Sequence, residues 1–188
     1  DKKKILFGDD ETKIIELKVY AKDYEDKLPS VIQLDGRLGS YDLKEIFPET
    51  KKSFDNPKPM QLLKQIFSYL ISDKDILLDS FAGSGTTAHA VLELNKEDGG
   101  NRKFILVEQE DYANTITAER VRRVIKGVKT AKNESLKKGL GGTFSYFALG
   151  EPIEMESILK GKKMPAYLEF ARYLFYTATG EEFETKQV

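Results

Sequence analysis

Apolar positions recur along this chain at two different periods. Over 12–21, "TKIIELKVYA", they alternate: Ile15, Leu17 and Val19 share one face, and Glu16, Lys18 and Tyr20 the other. That alternation predicts a strand with one side on a core. Residues 22–53 are charged and interrupted by Pro29, Gly36, Gly39 and Pro48, so they read as a loop-rich connector with a short helix near "YDLKEIF". In "FDNPKP", residues 54–59, two prolines fix the backbone and remove donors, which excludes a continuous helix. "MQLLKQIFSYLI" then places Leu62, Leu63, Ile66, Phe67 and Leu70 at helical spacing. A turn at Asp73 to Asp75 leads into "ILLD", a continuous apolar run of the kind found in a parallel sheet covered on both faces. A glycine-rich turn follows, then a helix to about Asn95, a loop "KEDGGN", and a second buried-type strand, "KFILVE". From about Tyr112 to Lys129 a helix puts Val121, Val124, Ile125 and Val128 on one stripe.

This order, helix–strand–helix–strand–helix, predicts an α/β fold with two parallel strands joined by a crossover helix, half of a doubly wound sheet. "TFSYFALG" (143–150) is a third strand candidate, and "MPAYLEFARYLFYTAT" (164–179) a helical tail with a broad apolar face. No internal repeat or low-complexity segment interrupts the pattern.

Composition narrows the chemistry. The chain has 188 residues, 40% apolar and 32% charged, enough for one domain with a sizeable core and a small appendage. No apolar run reaches the roughly 18–20 residues of a membrane span. The opening "DKKKILFGDD" has neither a signal-peptide pattern nor an initiator Met, so a piece of a longer cytoplasmic protein is expected. With no Cys and one His, thiolate and His-rich metal sites are excluded, and no metal is expected. Net charge is −1, so any nucleic-acid contact is local or supplied from elsewhere.

The turn Gly83-Ser84-Gly85 sits between a strand and a helix, where glycines allow close backbone approach and a helix N-terminus offers free N–H groups. Three ligands compete for it. A nucleoside triphosphate fits poorly, because no Lys follows Gly85 as a P-loop requires. A dinucleotide fits Gly83-x-Gly85-x-x-Ala88, with Glu108 at the next strand's end placed for ribose hydroxyls. S-adenosylmethionine fits the same loop and the same Glu108. It also gives Asp79 a purpose: a carboxylate there opposes a pyrophosphate but suits an ammonium group. An ordinary strand–turn–helix that binds nothing is the structural alternative.

Several of these stretches resemble one known family. "DSFAGSGTT" is similar to the cofactor loop of DNA amino-methyltransferases, "FDNPKP" with its "QLL" helix resembles their other cofactor motif, and "ILVEQ" their acidic second-strand motif. The proline–lysine motif precedes the glycine loop, as in the β-class order of adenine-N6 and cytosine-N4 enzymes. "GGTFSYFALGEP" and "ARYLFYTATGEEF" resemble the C-terminal part of Mod subunits of type III restriction-modification systems. The resemblance covers about 50–185 and, more loosely, the first 50 residues. It implies a partial Rossmann-like, S-adenosylmethionine-dependent methyltransferase fold with a C-terminal helical tail. Residues 1–50 would be the end of a target-recognition or connector region, 51–150 the S-adenosylmethionine-binding subdomain and 151–188 a helical extension.

The family's base-handling motif, Asp/Asn-Pro-Pro-Tyr, is missing. That motif accepts the amino hydrogens of a flipped-out adenine, making its nitrogen nucleophilic, and stacks an aromatic ring on the base. The six prolines here, Pro29, Pro48, Pro57, Pro59, Pro152 and Pro165, are never adjacent, so no catalytic residue is assigned. The resemblance therefore implies a C-terminal piece of a type III DNA adenine-N6 methyltransferase, inactive alone, whose full form acts on DNA beside a restriction subunit.

In that reading Asp79 takes the methionine ammonium, which its charge also suggests. Phe81, Gly83 and Gly85 shape the channel, and Thr86 and Thr87 cap the helix near the carboxylate. Glu108 holds the ribose, and Asn56, Pro57, Lys58 and Pro59 close the other side. His89 is expected to be a packed or surface residue. The run from Glu119 to Gly139, with eight basic and two acidic residues, is expected to be a solvated face rather than a phosphate-binding one. Tyr167, Phe170, Tyr173, Phe175 and Tyr176 point to core or subunit contact. Two other readings stay open: a non-catalytic remnant that dimerises or docks through an exposed sheet edge, and a dinucleotide-binding module.

Overall fold

The computed structural model describes residues 5–7, 15–17, 27–50, 54–150, 155–161, 164–181 and 183. The chain divides into two compact units, Asp1–Phe144 and Ser145–Val188.

In the first unit, β1 (Ile5–Phe7) pairs antiparallel with β2 (Ile15–Leu17), Leu6 opposite Glu16. The strand expected over 12–21 is thus present at its centre, and its remainder lies outside the described residues. Helix α1 (Leu38–Ile46) fills the place expected for a short helix, and α2 (Met60–Leu70) begins directly after the second proline, Pro59, which supplies its extended N-cap. Strand β3 (Ile76–Asp79) pairs in parallel with β4 (Lys103–Leu106), Ile76 opposite Lys103 and Asp79 opposite Leu106. The helix between them, α3 (Thr86–Asp98), starts at Gly85 and stops at the left-handed Gly99.

After β4 the chain makes a 3₁₀ turn (Asp111–Ala113), one π-helical turn (Asn114–Ala118) and α4 (Glu119–Lys126), so the expected single helix is three kinds of turn in succession. Gly127 ends it. Helix α5 (Glu134–Lys138) is capped by Asn133, whose side chain accepts from Leu136 N at 3.0 Å. The third strand expected at 143–150 does not form: the backbone there is irregular. Tyr146, Phe147 and Leu149 are exposed, so no partner surface rewards an extended pairing. The second unit holds α6 (Met155–Lys160), which the pattern did not predict, and the expected tail helix α7 (Tyr167–Thr179). Tyr167, Tyr173 and Tyr176 are exposed on α7, and Phe175 meets Phe183 edge-on.

The core of the first unit lies among helices. Leu43, Ile46 and Phe47 from α1 and its end pack with Ala88 and Leu92 of α3, Val121 and Val124 of α4, then Val128, Ala131, Leu136 and Leu140. Phe104 and Leu106 reach this cluster from the sheet. The sheet's opposite face is bare: Ile76 and Leu78 are 60% and 65% exposed, Ile105 and Val107 53% and 52%. The apolar runs of β3 and β4 were expected to be covered on both faces. Only the Leu77–Phe104–Leu106 side is covered by the described residues, where Phe104 and Leu106 meet the helical cluster that includes Ala88 and Leu92 of α3.

Two close approaches brace the scaffold. A Cβ on Gly39 would sit 2.0 Å from the Pro57 carbonyl oxygen, so only glycine lets α1 lie this near the proline segment. Asp42, one turn on, accepts from Met60 N and Gln61 Nε2, both at 3.1 Å, and so caps α2 from outside.

Candidate cofactor site

The loop from Asp79 to Thr87 is held from four directions. At its start, Asp79 Oδ1 accepts from Phe81 N at 3.1 Å and Oδ2 from Thr87 Oγ1 at 2.5 Å. A carboxylate at the C-terminal end of β3 is thereby tied to the first turn of α3. Ala82 N donates to Val107 O at 3.0 Å, extending the sheet's pairing into the loop. Gly83 N donates to Glu108 Oε2 at 2.8 Å, and Gly83 O accepts from Thr117 Oγ1 at 2.5 Å. Gly85 has φ +76°, and a Cβ there would stand 3.0 Å from the Thr117 carbonyl, so this position needs glycine twice over. Among the described residues no side chain caps α3, so its first N–H groups are open to solvent or another partner.

The residues singled out in the sequence do converge, in two groups. Asp79, Gly83, Gly85, Thr86, Thr87 and Glu108 form one. Asn56, Pro57, Lys58 and Pro59 form the other, and Thr86 Oγ1 joins them by donating to Lys58 O at 3.3 Å. Asn56 takes a left-handed φ of 51°, and Pro57 and Pro59 are buried while Lys58 is exposed. A cavity of about 340 Å³ opens on this segment, lined by Ile32, Leu34, Pro57, Lys58, Pro59 and Leu62 among others. Phe81 is 88% exposed, so its ring stands outside the core beside the loop.

Glu108 is engaged within the fold itself. Its Oε1 accepts from Gln109 N and Glu110 N at 2.9 and 3.1 Å, and its Oε2 from Gly83 N. It clasps the glycine loop to the end of β4, with lone pairs left for further donors. Tyr112 stands next to it; desolvation, reinforced by the Glu108 and Glu110 carboxylates, raises the phenol above its ordinary value. The Tyr112 ring meets Phe54 edge-on at 5.2 Å.

Four residues here have no role at the site in the sequence pattern, where Gly39 reads as a connector break and Arg120 as part of a solvated basic run. Thr117 and Arg120 brace the loop from α4's side, and Gly39 and Asp42 brace the proline segment. Arg120 left one signal: it falls on the same helical stripe as Val121 and Val124, a charge on an apolar face. His89 is fully buried, and its partner is Arg120, Nη2 to Nδ1 at 3.1 Å. Burial first, and the Arg120 charge second, hold the imidazole well below its ordinary range, so the ring is neutral with its proton on Nε2. The basic run is partly internal. Arg120 is buried, and Arg123 pairs with Glu49 and Glu119 at 2.6 and 2.9 Å over the Phe47 ring.

Comparison with known proteins gives this loop a context. The chain is 53% identical over 108 residues to the Mod subunit of the type III restriction-modification enzyme EcoP15I from Escherichia coli, covering 57% of this chain and 17% of that one. It is 41% identical over 115 residues to the StyLTI Mod subunit of Salmonella typhimurium, covering 54% and 17%. Type II methyltransferase M.KpnI from Klebsiella pneumoniae is 49% identical over 57 residues, covering 30% and 14%. The chain thus spans about a sixth of the length of these relatives. The model of the N6/N4 DNA methylase family matches residues 2–119, more than half of the sequence, and the chain belongs to that family.

Proposed function

We propose that this chain is the S-adenosylmethionine-binding part of a longer, site-specific DNA adenine-N6 methyltransferase of the type III Mod kind. The observation that carries this reading is the two-sided polarity of the loop. Asp79 offers a carboxylate at one end, and the uncapped start of α3 offers N–H groups and a partial positive charge a few residues away. A ligand with an ammonium and a carboxylate on one carbon matches both, whereas a pyrophosphate meets Asp79 unfavourably. Glu108 keeps acceptor capacity for ribose hydroxyls, and Asn56 to Pro59 close the far side. When bound, the cofactor supplies an electrophilic methyl group; this chain's residues bind and orient it.

The domain reading is proposed with it: 1–50 as the end of a recognition or connector region, 51–150 as the cofactor subdomain of a Rossmann-like fold, and 151–188 as an extension. In the longer cytoplasmic enzyme, DNA is the substrate and a restriction subunit the partner. Without an Asp-Pro-Pro-Tyr motif, this chain alone transfers no methyl group. A thermal-shift series checks the ligand: S-adenosylmethionine raises the melting temperature, and NAD and ATP do not. Stabilisation by NAD alone would replace this reading with the dinucleotide one.

A docking role is a second reading, favoured by the bare apolar face of the sheet at Ile76, Leu78, Ile105 and Val107. A homodimer through this face would show as a mass that rises with concentration in light scattering. A monomer at every concentration would exclude it.

A further inference from the structure

Arg120 is 0% exposed, yet none of the described residues gives it a carboxylate in contact. Its Nη1 donates to Thr86 Oγ1 at 2.8 Å, to Ser84 Oγ at 3.1 Å and, at the limit of bonding, to Ser84 O at 3.4 Å. Its Nη2 reaches the neutral His89, and its Nε is buried with no partner. Every acceptor is uncharged. Asp42 acts on it only through space and is already occupied by Met60 N and Gln61 Nε2. Burial, partly offset by Asp42, pushes the guanidinium down to about 10, so it stays charged at neutral pH.

A buried charge without a counter-ion is costly, and such charges are normally paired. This one sits directly behind Ser84, between the two glycines of the loop. Its hydroxyl partners are oriented by it. Because Arg120 donates to both, the Ser84 proton is left for Thr86 Oγ1, and the Thr86 proton for the Lys58 carbonyl. The cation therefore fixes the loop to the proline segment and adds its charge to the N-terminus of α3. We propose that Arg120 is a positioning residue that makes the glycine loop selective for a ligand bearing a carboxylate. The inference rests on the cofactor reading above, and goes beyond it in naming what sets the preference.

The test compares S-adenosylmethionine with decarboxylated S-adenosylmethionine, by calorimetry on the full chain. Wild type prefers the carboxylate-bearing ligand on the order of tenfold, the size expected for a partly desolvated charge acting with a helix terminus. Arg120→Gln keeps donors but loses the charge, and its preference falls towards one; Arg120→Lys retains most of it. Asp42→Asn removes the carboxylate that acts on Arg120 through space, and its preference rises. If Arg120→Gln weakens both ligands equally and keeps the ratio, Arg120 is only structural and the proposal is overturned. Should Arg120→Gln fail to fold, an unchanged or lowered ratio in Asp42→Asn overturns it instead. Wild type binding both ligands without preference refutes this inference alone; wild type binding neither refutes the cofactor reading beneath it.

Discussion

Single residues set the local geometry, and their substitutions separate the roles. Glycine inside a helix is ordinarily worse than alanine by about 1 kcal/mol. At Gly39 the sign reverses, because an alanine Cβ would meet the Pro57 carbonyl at 2.0 Å. Gly39→Ala is expected to lower stability by roughly 2–3 kcal/mol, as overpacking does, and urea unfolding measures it. Thr117→Val keeps the shape but deletes the donor to Gly83 O. It should cost about 1 kcal/mol and weaken ligand binding, since the loop loses its tie to the π-helical turn. His89 carries a pH signature. Its folded pKa lies below its unfolded value, so the unfolded chain binds the extra proton. The resulting contribution is complete above the ordinary imidazole value of about 6.5 and is lost as pH falls from there towards the folded value. Stability of wild type should therefore fall between pH 7 and 5 more steeply than that of His89→Gln. Parallel slopes would mean that the ring protonates freely.

At the scale of elements, the strands and helices around the glycine turn are legible from local pattern. The run "ILLD" is β3, "KFILVE" contains β4, the helix after the double-proline segment starts at Met60, and Gly83 and Gly85 mark the turn. Each depends on neighbours a few residues away. What depends on distant chain was illegible. The π-helical turn at Asn114–Ala118 carries Thr117, 34 residues from its acceptor Gly83. The partner of His89 is 31 residues on. The segment 143–150 has strand-like composition but pairs with no strand among the described residues, and β-propensity is decided by such partners. The stripe of Val121 and Val124 was visible, and it forms the core's centre, at 1% and 0% exposure. Val124→Ala is expected to destabilise by about 2 kcal/mol through lost burial and a residual cavity. The readout is the denaturant midpoint at unchanged slope, as expected when the rest of the fold persists.

At the largest scale, the organisation of the first unit, Asp1–Phe144, is one-sided. A helical layer covers one face of the β3–β4 pair, the glycine loop emerges at its C-terminal end, and the opposite face exposes four large aliphatic side chains. Such a face suits a protein in which further chain completes the sheet, consistent with relatives about six times longer than the part matched. It follows that tritiated methyl transfer from S-adenosylmethionine to mixed-sequence DNA should stay at background with this chain. Real turnover would mean that a base-handling group exists here that the missing Pro-Pro motif does not reveal. Cofactor binding is a separate matter from turnover, because both candidate groups of residues lie within 56–108 and are bonded to one another through Thr86.

That claim is tested most directly by calorimetric titration of the chain with S-adenosylmethionine, with Glu108→Ala titrated alongside and NAD as the control ligand. Saturable binding by wild type, at least tenfold weaker in the variant and absent for NAD, is the expected result, since Glu108 both clasps Gly83 and would hold the ribose; a tenfold loss corresponds to about 1.4 kcal/mol. Binding unaffected by Glu108→Ala, or no binding at all, would contradict the account.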